Sequence, residues 1–327
     1  MSVVSEAISA RERSLDLVRR YGTVAVFVAL LVILVATSPQ FRTAANLSNI
    51  LQQNAVIGII ACAMTFAIIS GGFDLSVGAG AALASVVGAR LMIEAGIPLG
   101  IVGALAAGLL LGLLNGFLIA YAGVNPFVAT LGTATIVRGL IYVSTNATPF
   151  FGVPMSFTAL GLGRTGPLPN ATWILLAVAL LLGFALHQTR FGHYVYAIGG
   201  NIIAAAEMGI DVRRVKLAVY ALVGVSAAIG GIILTGQTAS GQPQAALNYE
   251  LTAITAVIVG GASLGGGRGG MAGTILGVFL LGLVSNALNL YGVSAFWQPV
   301  ATGIILIVAV GIDSFRGGAC SRSGRGS

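Results

Sequence analysis

One carboxylate stands inside a long apolar stretch, and its chemistry needs an explanation first. Asp74 lies in the segment GGFDLSVGAG, residues 71–80, which interrupts the apolar run 55–85. Gly71 and Gly72 can end a helix at little conformational cost. Asp74 and Ser76 can accept backbone N–H bonds and start the next helix. The segment therefore predicts a polar break between two apolar helices.

Composition sets the environment of this break. Of 327 residues, 57% are hydrophobic and only 8% are charged, whereas soluble domains carry about 25% charged residues. The chain is therefore predicted to be an all-α polytopic membrane protein. Its net charge of +7 favours basic cytoplasmic loops over nucleic-acid binding, because the basic residues lie between apolar spans. Two cysteines and two histidines predict neither a disulfide framework nor a metal site, and no cofactor is expected.

Ten membrane-spanning helices are predicted, since a span needs about 20 apolar residues. They cover approximately residues 21–37, 54–71, 76–94, 97–122, 126–145, 171–187, 215–238, 249–263, 270–291 and 294–313. Residues 43–53 are predicted to form a separate amphipathic segment at the far interface. Irregular backbone at membrane depth persists only where protein or a water-filled cavity satisfies it. The break at residues 71–80 is therefore a candidate substrate pathway.

The basic residues predict the orientation of the spans. With the amino end inside, twelve Lys and Arg residues flank the cytoplasmic ends, whereas the outer loops hold only Arg42 and Arg164. This asymmetry predicts that both termini are cytoplasmic. We therefore expect a cytoplasmic N-terminal segment at 1–20, a transmembrane domain at 21–315 and a cytoplasmic tail at 316–327.

Asp74 has three possible roles. It is a structural helix cap, a pathway group that contacts substrate hydroxyls or orients a gate, or an ion-coupling site. Arg138 falls within a span and must face protein or water, so its pairing with Asp74 is a hypothesis. Asn115, Asn125 and Asn286 are further polar side chains in apolar settings, available to a substrate or to a neighbouring helix.

Two patterns concern helix packing. Small residues recur at every fourth position of the fourth predicted span, at Gly100, Ala104, Gly108, Gly112 and Gly116. Such a ridge indicates a close helix–helix contact, and internal packing is favoured over a dimer seam. A weak repeat also matches residues 111–127 to 281–296 and residues 71–75 to 260–264. It is either an inverted repeat, with substrate paths at broken helices, or a chance similarity between Gly- and Leu-rich segments.

Two connecting segments are candidate contact surfaces. The outer loop 146–170 is either a connector or a docking surface or gate. In the inner segment 188–214, Asn201 can cap a short helix that Gly209 stops. This helix presents Glu207 near arginines, which suits docking to a soluble partner, although a solvated loop is the alternative.

Four stretches together resemble the permease subunits of bacterial ATP-binding cassette (ABC) importers of the ribose, xylose and arabinose type, in the branched binding-protein-dependent transport permease family. The resemblance runs in order over residues 45–315. One departure is Phe73, where an aliphatic residue is expected. The four stretches are GGFDLSVG at 71–78, NPFVATLGT at 125–133, the loop 197–214 and GGASLGGGRG at 260–269.

The resemblance implies a multi-pass permease of the bacterial inner membrane that moves a monosaccharide, a pentose or a related sugar, by alternating access. It also implies three partners: an ATP-binding subunit, an extracytoplasmic sugar-binding protein and a second permease copy or paralogue. The loop containing Asn201, Ala205, Glu207, Gly209 and Arg213 would be the coupling helix seated in the ATPase. The substrate pathway and broken helix would include Gly71, Gly72, Asp74, Ser76, Asn115 and Asn125.

The chain itself is not expected to be an enzyme, because it has no Gly-x-x-x-x-Gly-Lys-Ser/Thr phosphate loop. Residues 265–270 satisfy Gly-x-Gly-x-x-Gly but join two apolar helices and follow no strand, so a nucleotide site is not predicted there. The alternative function is an ion-coupled secondary transporter that uses Asp74.

Overall fold

The computed structural model describes residues 22–322, and the side-chain environments of residues 22–311. The predicted cytoplasmic segment 1–20 and the last five residues of the tail lie outside this range. The described part contains thirteen α-helices. Their bounds are α1 Gly22–Thr37, α2 Ala44–Ile69, α3 Val77–Ala95, α4 Ile97–Ala120, α5 Pro126–Thr145, α6 Thr158–Leu162, α7 Asn170–Gln188, α8 Arg190–Gly200, α9 Ile202–Glu207, α10 Val212–Thr238, α11 Tyr249–Val259, α12 Met271–Leu290 and α13 Trp297–Arg322.

The predicted all-α, multi-pass architecture is confirmed. Seven of the described helices are long and apolar enough to cross a membrane: α2, α3, α4, α5, α7, α10 and α12. Three shorter apolar helices lie at Gly22–Thr37, Tyr249–Val259 and Trp297–Gly311. Together they correspond to the ten predicted spans. Irregular structure is confined to the connections, with 3₁₀ turns at Gln40–Arg42 and Met155–Phe157.

The start of α2 differs from the prediction of a separate segment at 43–53. The helix runs without interruption from Ala44, because its first fourteen residues contain neither glycine nor proline. Thr43 caps it by accepting a hydrogen bond from the Asn46 N–H at 3.3 Å. The Asn46 and Asn286 amides then join α2 to α12, with Asn286 Nδ2 donating to Asn46 Oδ1 at 2.8 Å. Asn286 therefore bonds a neighbouring helix.

The core is built around α2. From Ala55 to Ile69 this helix is apolar on all sides except at Thr65, as expected of a fully surrounded helix, and it packs against α7, α10, α11 and α12. Helices α4, α5 and α7 are peripheral and present large apolar side chains outwards, such as Leu110, Val143 and Leu180. These faces have the composition of lipid-exposed surfaces.

The small-residue ridge on α4 packs inside the protein, as favoured from the sequence. A methyl group added at Gly108 would lie 2.5 Å from the carbonyl oxygen of Gly224 on α10. One added at Gly100 would lie 2.7 Å from the Gly88 carbonyl oxygen on α3. Main-chain atoms therefore form the contacts of α4 with both neighbours, which only residues this small permit.

Replacing Gly112 by alanine is expected to destabilise the protein. The added methyl group would overlap the Tyr220 carbonyl oxygen and lie 3.0 Å from Ala221 Cα, and such overpacking costs about 1–3 kcal/mol. Thermal unfolding of the purified protein in detergent measures the effect. Gly132→Ala is the matched control, because no atom lies within 4 Å of its added methyl group. Equal midpoints for the two variants would contradict the prediction.

The outer loop 146–170 is folded against the helices. Strand β1 (Phe150–Phe151) pairs antiparallel with β4 (Ser240–Gly241), and β2 (Arg164–Thr165) pairs with β3 (Leu168–Pro169). Gln52 Nε2 on α2 donates to the Gly161 carbonyl at 2.8 Å. The loop is therefore a structured cap over α2 and α10 rather than a solvated connector.

The ends of α2 and α11 share one hydrogen-bond pattern. Gly71 and Gly72 donate to carbonyls three and five residues earlier, at 3.0 and 2.9 Å, and Gly261 and Ala262 do the same at 2.9 and 3.1 Å. Gly71 and Gly261 both have positive φ, +79° and +99°, as this type of helix end requires. The geometry thus matches Gly71 to Gly261, one residue further along than the sequence comparison, which paired it with Gly260.

Candidate functional site

The break between α2 and α3 is organised by Asp74. Its Oδ1 accepts hydrogen bonds from the Ser76 N–H at 2.7 Å and from the Ser76 hydroxyl at 2.6 Å. Its Oδ2 accepts from Asn115 Nδ2 on α4 at 3.4 Å. Asp74 is only 1% exposed. The carboxylate therefore binds the N–H of Ser76, the residue that precedes α3, in a turn two residues long. The Ser76 side chain, which the sequence also predicted to cap α3, accepts no backbone N–H of that helix.

The network continues onto α5. Asn115 Nδ2 also donates to Ser76 Oγ at 2.8 Å, and the Thr133 hydroxyl donates to Asn115 Oδ1 at 2.7 Å. The Leu75 N–H donates to Thr130 Oγ1 at 3.1 Å. The sequence did not single out Thr130 and Thr133 individually, although both belong to the NPFVATLGT stretch. These hydrogen bonds therefore join the break between α2 and α3 to both α4 and α5.

The hypothesis that Asp74 pairs with Arg138 is wrong. Arg138 Nη1 donates to the carbonyls of Pro243 and Ala245, both at 3.0 Å. Asp74 instead satisfies its oxygens with the neutral donors of Ser76 and Asn115. The pairing fails because the backbone between β4 and α11, far away in sequence, reaches Arg138.

The remaining predicted residues of the break have separate roles. A methyl group added at Gly72 would lie 2.6 Å from the Tyr220 hydroxyl, which donates to the Phe73 carbonyl at 3.3 Å. The Phe73 ring meets Phe127 edge-on, with centroids 6.3 Å apart, so the departure at this position adds a contact with α5. Asn125 is exposed and caps α5 by accepting from the Phe127 N–H at 2.9 Å, outside the Asp74 network.

A cavity of about 380 Å³, widely open to the surface, lies beside the break. Leu75, the neighbour of Asp74, forms part of its wall, so the Asp74 network holds one side of this cavity in place. Thr135, Tyr142 and Glu250 were not predicted from the sequence to line a site. Glu250 could have been identified, because it is a lone carboxylate in the first turn of an apolar helix. The cavity is lined by Leu75, Ala79, Ala134, Thr135, Arg138, Gly139, Tyr142, Leu247 and Glu250.

A second cavity, of about 530 Å³, lies between α2, α11, α12 and α13. Leu247 lines both cavities, so the segment before α11 separates them. The polar lining of this second cavity consists of amides and hydroxyls without charges, and none of these residues was predicted from the sequence to line a pathway. They are Gln53, Asn54, Gln237, Asn248, Tyr249, Thr252, Ser285, Gln298 and Thr302. Across the described residues, no group of three or more His, Cys, Asp or Glu side chains could hold a metal.

The predicted short helix of the inner segment is confirmed. Asn201 caps α9, and its Oδ1 accepts from the N–H groups of Ile203 and Ala204 at 3.0 and 3.1 Å. Gly209 follows the helix with φ +82°, the left-handed conformation that ends helices. Cap and stop residue are therefore where the sequence places them.

The exposed side of α9 is apolar. Ile203 and Met208 are 69% and 71% exposed, and Glu207 lies on the same surface, whereas Ala205 is buried. Arg213, at the start of α10, lies over the Tyr121 ring at 5.9 Å from its centroid. An exposed apolar patch with a charged edge is typical of a protein–protein contact.

The inner segment also contacts the end of α2. A methyl group added at Gly199, in the last turn of α8, would overlap the Ile69 carbonyl oxygen. That oxygen accepts from the Gly267 N–H at 2.9 Å, and the Tyr196 hydroxyl donates to the Gly269 carbonyl at 2.8 Å. Burial raises the pKa of the Tyr196 hydroxyl, so it remains a donor. Residues 265–270 therefore join the loop after α11 to α2 and α8.

Residues 46–310 match the family described as "Branched-chain amino acid transport system / permease component". The match covers most of the chain, and the chain belongs to this family of membrane transport permeases. No solved structure matches the chain.

Three curated relatives have sugar permease names. The chain is 43% identical to the ribose import permease protein RbsC of Bacillus subtilis (strain 168), over 87% of this chain and 89% of the relative. It is 38% identical to the L-arabinose transport system permease protein AraH of Escherichia coli (strain K12), over 91% of each. It is 37% identical to the galactose/methyl galactoside import permease protein MglC of Haemophilus influenzae, over 94% and 97%.

Proposed function

We propose that the chain is the membrane-spanning permease subunit of an ATP-binding cassette importer that translocates a monosaccharide, a pentose or a related sugar. The observation that carries the proposal is the match, over nearly the whole chain, to relatives named for ribose, arabinose and galactose. Two cavities lined by hydroxyl, amide and charged groups support it, because such groups bind sugar hydroxyls. The chain is a transport subunit, and ATP is hydrolysed in a separate subunit.

The proposal includes three partners and an orientation. An ATP-binding subunit docks on the exposed face of α9, with Ile203, Glu207 and Met208 in contact and Ala205 supporting the helix from within. A sugar-binding protein docks on the opposite face, beside the folded cap 146–170. A second permease copy or paralogue completes the pore. The protein lies in the bacterial inner membrane with both termini in the cytoplasm, as the twelve-to-two distribution of basic residues supports.

The contacts suggest how ATP-driven movement reaches the pathway. Closure of the ATPase dimer would displace α9 and α8. Gly199 would transfer this displacement to Ile69, at the end of α2, and to Gly267, in the loop after α11. Both helix ends lead into glycine breaks, so the walls of the cavity beside Leu75 would move. Asp74 holds the break and does not touch the sugar.

Uptake in proteoliposomes tests the function. The chain is reconstituted with the ATP-binding subunit and the binding protein, and labelled ribose, arabinose and galactose are supplied in turn. We expect uptake of at least one sugar that needs ATP and both partners and that survives an ionophore. Uptake driven by an ion gradient without ATP would contradict the proposal and support the ion-coupled alternative.

Placing a charge on the exposed face of α9 is expected to detach the ATPase. Ile203→Asp puts a carboxylate in the centre of an apolar contact, and unpaired buried charges weaken interfaces strongly. We expect at least about a tenfold loss of affinity for the ATP-binding subunit, measured by co-purification and titration. Met155→Asp, at a position 76% exposed in the loop 146–170 and outside the membrane-spanning helices, is the control for a general effect of the added charge. Unchanged affinity in Ile203→Asp would place the coupling surface elsewhere.

A further inference from the structure

Arg138 and Glu250 line one cavity without bonding each other. Arg138 uses only Nη1, for two backbone carbonyls, and no hydrogen bond within the described residues uses Nη2 or Nε. Glu250 Oε2 is buried and has no hydrogen-bond partner, and no ion pair between the two groups is present in this part of the chain. Charged groups at membrane depth are costly and mark functional sites. Both therefore have bonding capacity that the protein leaves unused.

The cavity is held in this state by several independent contacts. A methyl group added at Gly78 would overlap Glu250 Oε2 and lie 2.6 Å from the Ala246 carbonyl, so Glu250 needs this glycine to approach α3. Ala246 and Asn248 have positive φ, +54° and +64°. Non-glycine residues in this conformation cost energy and cluster at ligand sites. Arg138 Nη1 holds this segment by donating to the carbonyls of Pro243 and Ala245. Its Nη2 and Nε groups remain for the cavity.

The free groups select a ligand by charge. A simple anion would be repelled by Glu250, a simple cation would be repelled by Arg138, and an apolar molecule would leave both unsatisfied. A zwitterion or a neutral hydroxyl compound would satisfy both, and the sugar names of the relatives favour the second. A hydroxyl group accepts from a guanidinium and donates to a carboxylate at the same time. Thr135 and Tyr142 add hydroxyls, whereas Leu75 and Leu247 supply apolar surface. The volume of about 380 Å³ lies within the range of small-molecule sites, roughly 300–1,000 Å³.

We propose that Arg138 and Glu250 form a binding site for the transported monosaccharide, in which sugar hydroxyls bind the unused guanidinium N–H groups and the Glu250 carboxylate, whose Oε2 turns from Gly78 to meet them. This inference rests on the proposed function and adds a site at which the permease itself distinguishes sugars. The polar break at Asp74 positions the wall of this site through Leu75.

The test compares a sugar with its monodeoxy analogues. The best substrate among D-ribose, L-arabinose and D-galactose is chosen, and maximal uptake rates are measured with the binding protein saturated by each compound. Wild type is expected to transport the parent sugar roughly 10- to 100-fold faster than the analogue that lacks a hydroxyl bound by these groups, as the loss of a hydrogen bond to a charged group implies. In Glu250→Gln and Arg138→Gln this ratio is expected to fall towards one.

The ratio separates recognition from stability, because a structural defect lowers both rates equally. Arg90→Gln and Glu94→Gln are the controls, since this exposed pair on α3 is joined at 3.0 Å and lines neither cavity; their ratios should stay at the wild-type value. If these variants fail to assemble, Arg138→Lys and Glu250→Asp, which keep each charge but move the group that carries it, provide the same test. An unchanged ratio in all cavity variants, or no discrimination by wild type, overturns the inference. Absence of any ATP-dependent sugar uptake by wild type overturns the proposed function instead.

Discussion

Asp74→Ala is expected to reduce ATP-dependent uptake by at least about 100-fold per assembled complex. Asp74 accepts three hydrogen bonds in a buried site, and each buried donor that is left unpaired costs roughly 1–3 kcal/mol. About 1.4 kcal/mol corresponds to a factor of ten, so two or more unpaired donors would disfavour the native geometry of the break by at least about 100-fold. The uptake assay in proteoliposomes measures the effect, and size-exclusion chromatography reports assembly.

A graded series sharpens this prediction. Asp74→Asn keeps an acceptor for Ser76 but turns an amide N–H₂ towards Asn115, so an intermediate loss is expected. Asn115 cannot simply turn its amide, because its oxygen accepts from Thr133 at 2.7 Å. Asn125→Ala is the control, since this exposed cap lies outside the network. Uptake in Asp74→Ala close to that of the control would show that the network is dispensable.

Gly199→Ala is expected to abolish uptake while leaving ATP-binding-subunit attachment intact. The added methyl group would overlap the Ile69 carbonyl oxygen and lie 2.5 Å from the Gly267 nitrogen. These main-chain atoms form one of the hydrogen bonds between α2 and the loop after α11, and backbone cannot move aside as a flexible side chain can. The contact by which α8 reaches the break would be forced apart. ATP hydrolysis and uptake measured on the same proteoliposomes reveal the uncoupling.

The neighbouring glycine supplies a matched control. Gly200→Ala adds the same methyl group one residue further on, where no atom lies within 4 Å. It should retain both activities. Equal uptake by the Gly199→Ala and Gly200→Ala variants would contradict the coupling route. Loss of ATPase binding by Gly199→Ala would instead indicate that α8 and α9 have lost their fold.

Local signals in the sequence predicted the local structure. Glycine pairs, capping side chains and apolar runs define helix ends through contacts a few residues apart, so the bounds of α3, α5 and α7 agree with the predicted spans within about two residues. Asn201 and Gly209 were identified for the same reason. The beginning of α2 was misjudged because polar residues such as Asn46 and Gln52 suggested an interface. The fold instead joins them to other segments, Asn46 to Asn286 on α12 and Gln52 to the Gly161 carbonyl.

Long-range partners could not be read from the sequence. Arg138 was paired with Asp74 because both are charged residues within apolar segments. Its actual partners, the carbonyls of Pro243 and Ala245, lie 105 and 107 residues further along the chain. Glu250 gained significance only when the fold placed it against Gly78. Thr133 became part of the site through Asn115, eighteen residues earlier. Such side-chain pairs depend on how helices pack, which periodicity does not specify.

The glycine seam between α4 and α10 has a consequence for how such a transporter can change its substrate. The two helices meet through main-chain atoms at Gly108 and Gly224, so their fit is independent of side-chain identity elsewhere. The cavity side chains at Arg138 and Glu250 belong to α5 and α11, away from this seam. Mutations that alter the cavity side chains therefore leave this seam unchanged. One architecture can in this way acquire new cargo without first acquiring a new fold.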